Sequence, residues 1–258
     1  MATSSKEPSY GRMSLVHKTG AAAMALLVLS AFVVYSYAWG GGEPAVTAPP
    51  PSSFDVQKER YMNSDEGTAY VTPAHPSLAG HPLASLSPEE LYLHAARSWI
   101  WVTDKTLYGT PDYWAAPQEF LLSSPSLATN PLPGSVVGDC EDQAFALATL
   151  LRIGGMPASD VRVGIGQVKI TNPATGLSYV GLHAWVEIWW DSAWMALDPS
   201  MPTYWEASSE NVVCRDVPDF THYAVARYPI MELWAYMSDE YYWCALNGYG
   251  TAPAFWKE

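Results

Sequence analysis

Two periods of apolar and polar residues run through this chain, and they predict its elements. Ser87-Pro88-Glu89-Glu90 is a helix start: Ser as N-cap, Pro at the first helical position, Glu three residues after the cap. The spacing predicts a helix from there to about Thr103. Trp114–Phe120 reads as a turn opening a short helix, and Ser123–Val137, punctuated by Pro125, Pro131, Pro133 and Gly134, reads as a loop. A second helix starts after Asp139 and runs to Ile153, where Gly154-Gly155 stops it. Its Ala144, Leu147, Ala148 and Leu151 form one buried stripe, with Cys140 four residues ahead on the same face. The pattern then shortens to strand type. Val161–Ile170 is one strand; His183–Trp190 and Trp194–Leu197, separated by Asp191-Ser192-Ala193, form a hairpin. Beyond Ser200 the expectations are a strand at Tyr223–Tyr228 and a helix over Met231–Tyr242.

Ahead of these elements lies a different kind of segment. Ala21–Trp39 has no charge and spans about 28 Å as a helix, close to the thickness of a bilayer's hydrocarbon core. Residues 1–20 carry Lys6, Arg12 and Lys18 against Glu7, which keeps that end in the cytoplasm and puts everything after Gly40 outside. The apolar run exceeds the core of a signal peptide, so an uncleaved anchor is expected, although Ser36-Tyr37-Ala38 has a cleavage-like pattern. Residues 40–86, with Gly40-Gly41-Gly42 and Pro49-Pro50-Pro51, read as a spacer; a short element around Tyr70–Thr72 is expected to pack on the domain. The organisation expected is therefore a cytoplasmic 1–20, a transmembrane 21–39, a linker 40–86 and a domain 87–258.

Charge sharpens this picture. The chain carries 26 acids against 13 bases, a net of −13, which argues against binding nucleic acid. Residues 1–40 hold three of the bases and one of the acids, so residues 41–258 carry a net of −15. Such a domain is repelled by anionic head groups and is expected to sit off the membrane on its spacer. His75, His81 and His94 show no zinc-ligand spacing.

The chemistry rests on three residues. Cys140 opens a helix, where the positive end of the helix dipole favours a thiolate. His183 opens a strand and Asp198 ends the next, which gives a nucleophile, a base and an acid to orient the base. A two-residue turn at Asp191-Ser192 pairs Trp190 with Ala193 and makes His183 and Asp198 diagonal neighbours on one face. A turn centred one residue earlier puts them directly opposite; the register between these two puts them on opposite faces. In the first register Trp185, Trp189 and Trp194 share the face of His183, as a core stripe or as the wall of a groove. Against a thiolate stand three acids beside the cysteine, Asp139, Glu141 and Asp142. They read as helix caps or as ligands for calcium. Cys214 and Cys244 read either as a disulfide or as two buried thiols.

The segments Gly138-Asp139-Cys140-Glu141-Asp142, Gly181-Leu182-His183-Ala184-Trp185-Val186-Glu187 and Leu197-Asp198-Pro199-Ser200 resemble the transglutaminase-like cysteine-protease superfamily. So does the lead-in Trp114-x-x-Pro117-x-Glu119-Phe120. The three motifs stand in the family's order, with 43 and 15 residues between the key positions. The resemblance implies an α+β, papain-like core in which the cysteine helix packs on an antiparallel sheet or barrel. It implies catalytic residues Cys140, His183 and Asp198, a thioester intermediate and no required cofactor. It also implies an oxyanion held by the Cys140 N–H and a side chain, with Trp114 and Gln118 as candidates. Some calcium-dependent periplasmic members carry a similar Asp-Cys-Glu-Asp run, so calcium near Asp139, Glu141 and Asp142 is a further expectation. The expected activity is hydrolysis of peptide or isopeptide bonds in a protein or peptide substrate. The alternatives are amine transfer to glutamine and a non-catalytic binding domain.

Overall fold

The structure is a computed structural model. It describes Lys58, Tyr61 and residues 65–171, 177–200, 202–214, 220 and 229–257. The expected transmembrane segment and the Tyr223–Tyr228 strand lie outside the described residues. Among the described residues no helix is long and apolar enough to cross a membrane.

Helix α1, Pro88–Ser98, begins with the expected capping box: Ser87 Oγ accepts from the Glu90 N–H at 3.3 Å and Glu90 Oε2 accepts from the Ser87 N–H at 3.0 Å. It ends five residues earlier than the sequence pattern suggests. Trp99 to Val102 is a β-branched and aromatic run, and Ile100–Trp101 forms strand β1, which pairs in parallel with β2 (Val137–Gly138) and with β6 (Thr203–Glu206). A four-residue helix, α2 (Asp104–Leu107), follows β1. With β7 (Asn211–Cys214) these strands make a small sheet in the order β2-β1-β6-β7.

Helix α3, Cys140–Ile153, has the expected bounds and is the central helix of the core. Behind it lies an antiparallel sheet of five strands: β3 (Val161–Thr171), β4 (Ser178–Trp190), β5 (Ala193–Leu197), β8 (Ile230–Met237) and β9 (Tyr242–Cys244), in the order β5-β4-β3-β8-β9. It is an open sheet and not a closed barrel. The helix expected over Met231–Tyr242 is instead β8, a turn and the start of β9. Its Trp, Tyr and Met side chains pack better on a sheet, and β3 offers β8 a partner from Val163 to Val168.

The two faces of this sheet are chemically distinct. Val161, Val163, Ile165, Ala184, Val186, Ile188 and Leu197 bury one face against the Ala144, Leu147, Ala148 and Leu151 stripe of α3. On the other face Trp185, Val168, Tyr236 and Trp194 pack beneath a short C-terminal 3₁₀ turn, Ala254–Lys257, whose Trp256 is fully buried. The tryptophan stripe is thus core.

Residues 66–85 form three 3₁₀ turns against the domain, with Val71 and Leu78 buried in the main core and the Thr72 N–H donating to Thr149 Oγ1 on α3 at 3.0 Å. His75 and His81 cap two of these turns, each accepting from a backbone N–H two residues on. Cys214 and Cys244 are not joined by a disulfide; the first is exposed in the small sheet and the second buried in the large one.

Candidate active site

The β4–β5 hairpin has the first of the three registers. Trp190 pairs with Ala193 and Val186 with Leu197, and Asp191 and Ser192 take the positive φ values, 50° and 66°, of a two-residue turn that matches the strand twist. His183 and Asp198 are therefore diagonal neighbours. His183 Nε2 lies 2.7 Å from Asp198 Oδ2, and both residues are buried. The second carboxylate oxygen, Oδ1, accepts from the Ser200 N–H at 3.1 Å and from its hydroxyl at 2.8 Å. Burial pushes the Asp198 carboxyl up, but His183 and the Ser200 donors outweigh it and hold the group below its ordinary range. Ser200 is a residue that the motif reading did not single out; its place two residues after an aspartate is the turn signal that could have found it.

Strand β5 stops at Leu197, opposite Val186, and Pro199 follows. The residues of β4 before Val186 therefore extend past β5, and the N-terminus of α3 meets the strand there. The Ala184 backbone at this edge favours the Cys140 thiolate, against the larger effects of burial and charge. Cys140, His183, Ala184 and Leu182 line one small cavity of about 50 Å³, together with Trp114 and Glu141. The structure thus brings all three expected residues together: His183 bonds Asp198, and His183 and Cys140 share a cavity. Of the two candidate side-chain donors, Trp114 is in the wall of this cavity. Gln118 is not among its lining residues, and its buried Oε1 finds no partner among the described residues.

The motif glycine has a direct physical cause. A Cβ on Gly138 would lie 2.6 Å from Asp142 Oδ2 and 2.8 Å from the Phe120 ring. Asp142 needs that space. Its carboxylate accepts from the Ala115 N–H at 2.7 Å and from the Asp139 N–H at 3.3 Å, tying the loop at Trp114 to the start of α3. This is why the lead-in segment and the cysteine helix form one site.

Of the two opposing influences on the thiol expected from the sequence, the neighbouring acids prevail. Cys140 Sγ donates to Glu141 Oε2 at 3.1 Å. Burial, and then the charges of Glu141 and Asp139, push the thiol well above its ordinary range, overriding the helix dipole. The acids around it are more numerous than the sequence run shows. Asp104 and Asp112 join Asp139, Glu141 and Asp142, in overlapping groups whose ligand atoms lie within 4.8 Å of one another. Burial and the neighbouring charges of Glu141 and Asp112 raise Asp104 to about 7, despite a short bond from the Tyr113 N–H. Burial followed by mutual repulsion also raises Asp139 and Asp142, and burial raises Glu141. Asp104 Oδ1 and Asp139 Oδ1 are buried without a hydrogen-bond partner among the described residues. Converging carboxylates with orphaned oxygens suit a hard divalent cation. Asp104 and Asp112 are 35 and 27 residues ahead of Asp139, and nothing in the local sequence marks them.

The comparison with family models agrees with the motifs. Residues 86–199 match the model of the transglutaminase-like superfamily. No curated protein matches the chain. Among solved structures the chain is similar to LapG of Legionella pneumophila. The calcium-bound form is 18% identical over 65% of this chain and 71% of that one, with a TM-score of 0.37. The EGTA-treated form is 16% identical over 79% and 92%, with a TM-score of 0.39.

Proposed function

From the premise that residues 86–199 form a transglutaminase-like domain, we propose that this chain is a thiol acyl-transfer enzyme that hydrolyses peptide or isopeptide bonds. The observation that carries the reading is the buried His183–Asp198 pair beside a cavity shared with Cys140. Asp198 receives Nε2–H, so the imidazole presents its other nitrogen, Nδ1, as the base. In the proposed reaction the Cys140 sulfur attacks the substrate carbonyl and its proton passes to His183 Nδ1. The oxyanion is held by the Cys140 N–H, which at the first helical position has no acceptor within the helix. As the C–N bond breaks, His183 returns the proton to the leaving amine, and a thioester remains. Water then attacks the thioester, giving its proton to His183, and the acid product leaves with Cys140 restored as a thiol.

The five carboxylates around Cys140 are proposed to hold calcium, with Asp104, Asp112, Asp139, Glu141 and Asp142 as the donors. When bound, the ion supplies positive charge beside the thiol, offsetting the carboxylates that oppose its ionisation. The protein is further proposed to sit outside the cytoplasm on the 21–39 helix, a reading supported by the charge asymmetry of the N-terminus.

The test is turnover of an isopeptide and peptide library by the wild type and by Cys140→Ala, with calcium and with chelator. Cleavage by the wild type alone supports the reading. Equal cleavage by Cys140→Ala refutes it. Incorporation of a labelled amine into glutamine peptides without release of a carboxylic acid assigns amine transfer instead, and an intact library with an unreactive Cys140 assigns a binding domain.

A further inference from the structure

The face of the large sheet turned away from α3 carries a buried polar chain that the reaction above does not use. Arg162 and Glu187 are paired across β3 and β4; so are Gly164 with Trp185, and Gly166 with His183. Their side chains run in a row along this face, ending at His183. Glu187 Oε2 accepts from Arg162 Nε at 2.7 Å, and Glu187 Oε1 accepts from Trp185 Nε1 at 2.7 Å and from the Tyr236 hydroxyl at 3.1 Å. The Arg162 guanidinium is held between the Trp194 and Tyr236 rings, 3.7 and 3.6 Å from their centroids, and its Nη1 donates to the Trp256 carbonyl at 2.9 Å. The Trp185 indole lies over Gly164, where a Cβ would come within 2.6 Å of Cε2. Its plane is within 21° of the His183 ring, with centroids 6.3 Å apart.

A buried ion pair contributes little net stability, because desolvation offsets the attraction. What it does supply is a fixed position, and here every atom of the Glu187 carboxylate is committed. The hydrogen bond between His183 and Asp198 sets a distance but does not by itself set the tilt of the imidazole. A parallel indole that cannot rotate closes one side of that freedom. We propose that Trp185, Glu187 and Arg162 are positioning residues. Glu187, held by Arg162, locks the Trp185 indole, and the indole sets the plane in which His183 meets Cys140. The proposal rests on the thiol-enzyme reading above, and deepens it by naming what aims the base.

The experiment is the rate of Cys140 alkylation by iodoacetamide, followed by mass spectrometry in the full chain with calcium present. Trp185→Phe keeps an aromatic ring over Gly164 and removes the N–H that Glu187 holds. Glu187→Gln is the second variant; because it leaves Arg162 without a counter-charge, its thermal unfolding is measured alongside. The alkylation rate in Trp185→Phe is expected to fall about tenfold or more, the scale of a misplaced reacting group. The His183 ring-proton resonances are expected to move. In a His183→Ala background the same substitution is expected to cost nothing further, since a residue acting through His183 has nothing left to aim. A wild-type rate and wild-type resonances in Trp185→Phe would overturn the proposal, as would an undiminished loss in the His183→Ala background. If His183→Ala alone left the rate unchanged, the thiol-enzyme reading would fall and the proposal with it.

Discussion

Replacing Asp198 by Asn tests the geometry around His183 with almost no change of shape. Asp198 Oδ1 accepts twice from Ser200, and Oδ2 faces His183 Nε2 at 2.7 Å. An asparagine keeps both Ser200 bonds only with its oxygen at the Oδ1 position, which turns its NH₂ toward His183. Two donors then face each other, so the ring must move its proton from Nε2 to Nδ1. Nδ1 can then no longer accept the proton of Cys140. Burial and the neighbouring carboxylates already hold the Cys140 thiol well above its ordinary range, so alkylation depends on the base and should slow by about a hundredfold, the low end of what a positioned general base supplies. Turnover should fall further; the corresponding exchange in a serine triad costs roughly 10⁴-fold. Stability changes far less, because exchanging a charge-assisted bond for a neutral one costs about 1 kcal/mol. For a domain of this size that lowers Tm by about 2–4 °C. Alkylation kinetics at neutral pH with calcium, paired with a thermal melt, give both numbers. An unchanged alkylation rate in a folded Asp198→Asn variant would refute the assignment of His183 as the base.

Other consequences are equally direct. Gly138→Ala drives a methyl group into Asp142 and Phe120, and should destabilise the domain by about 1–3 kcal/mol; a melt like the wild type's would show that the close approach does not constrain the site. In chelator, the native state keeps protons on Asp104, Asp139, Glu141 and Asp142 that the unfolded chain releases, because all four groups are raised in the fold. More protons bound in the native state mean that stability falls as pH rises from about 4 through the Asp104 value of about 7, and calcium should flatten this slope. Melts that rise across that window in chelator would contradict the acid-cluster account. Without reductant, Cys214 should alkylate in the native protein and Cys244 only on unfolding; a mass two hydrogens short would reveal the bridge that the structure lacks.

Much of the site was legible because its signals are local. A cap before Cys140, a glycine pair after Ile153 and a tight turn at Asp191-Ser192 each act within a few residues, and they fix the helix, its stripe and a hairpin with one of three registers. What was not legible depends on distant partners. Ile100–Trp101 is a strand because Val137 and Tyr204 are there to pair with it, so the preceding helix ends early. Ile230–Met237 is a strand because β3 needs a neighbour on its second edge. The two remote acids, Asp104 and Asp112, reach the start of α3 through a loop whose path no periodicity records. The balance of influences on Cys140 was legible only in part. Asp139 and Glu141, whose charges oppose the thiolate, are its sequence neighbours, whereas the burial that raises the thiol most is assembled by the tertiary fold.

Labelling the native protein with an electrophilic probe asks whether Cys140 is a nucleophile served by His183. The wild type and His183→Ala are compared at neutral pH with calcium present, and the modified residue is located by mass spectrometry. Cys140 should label fast in the wild type and at least about tenfold more slowly in His183→Ala. Equal rates in the two proteins, or labelling that bypasses Cys140 in the wild type, would contradict that role.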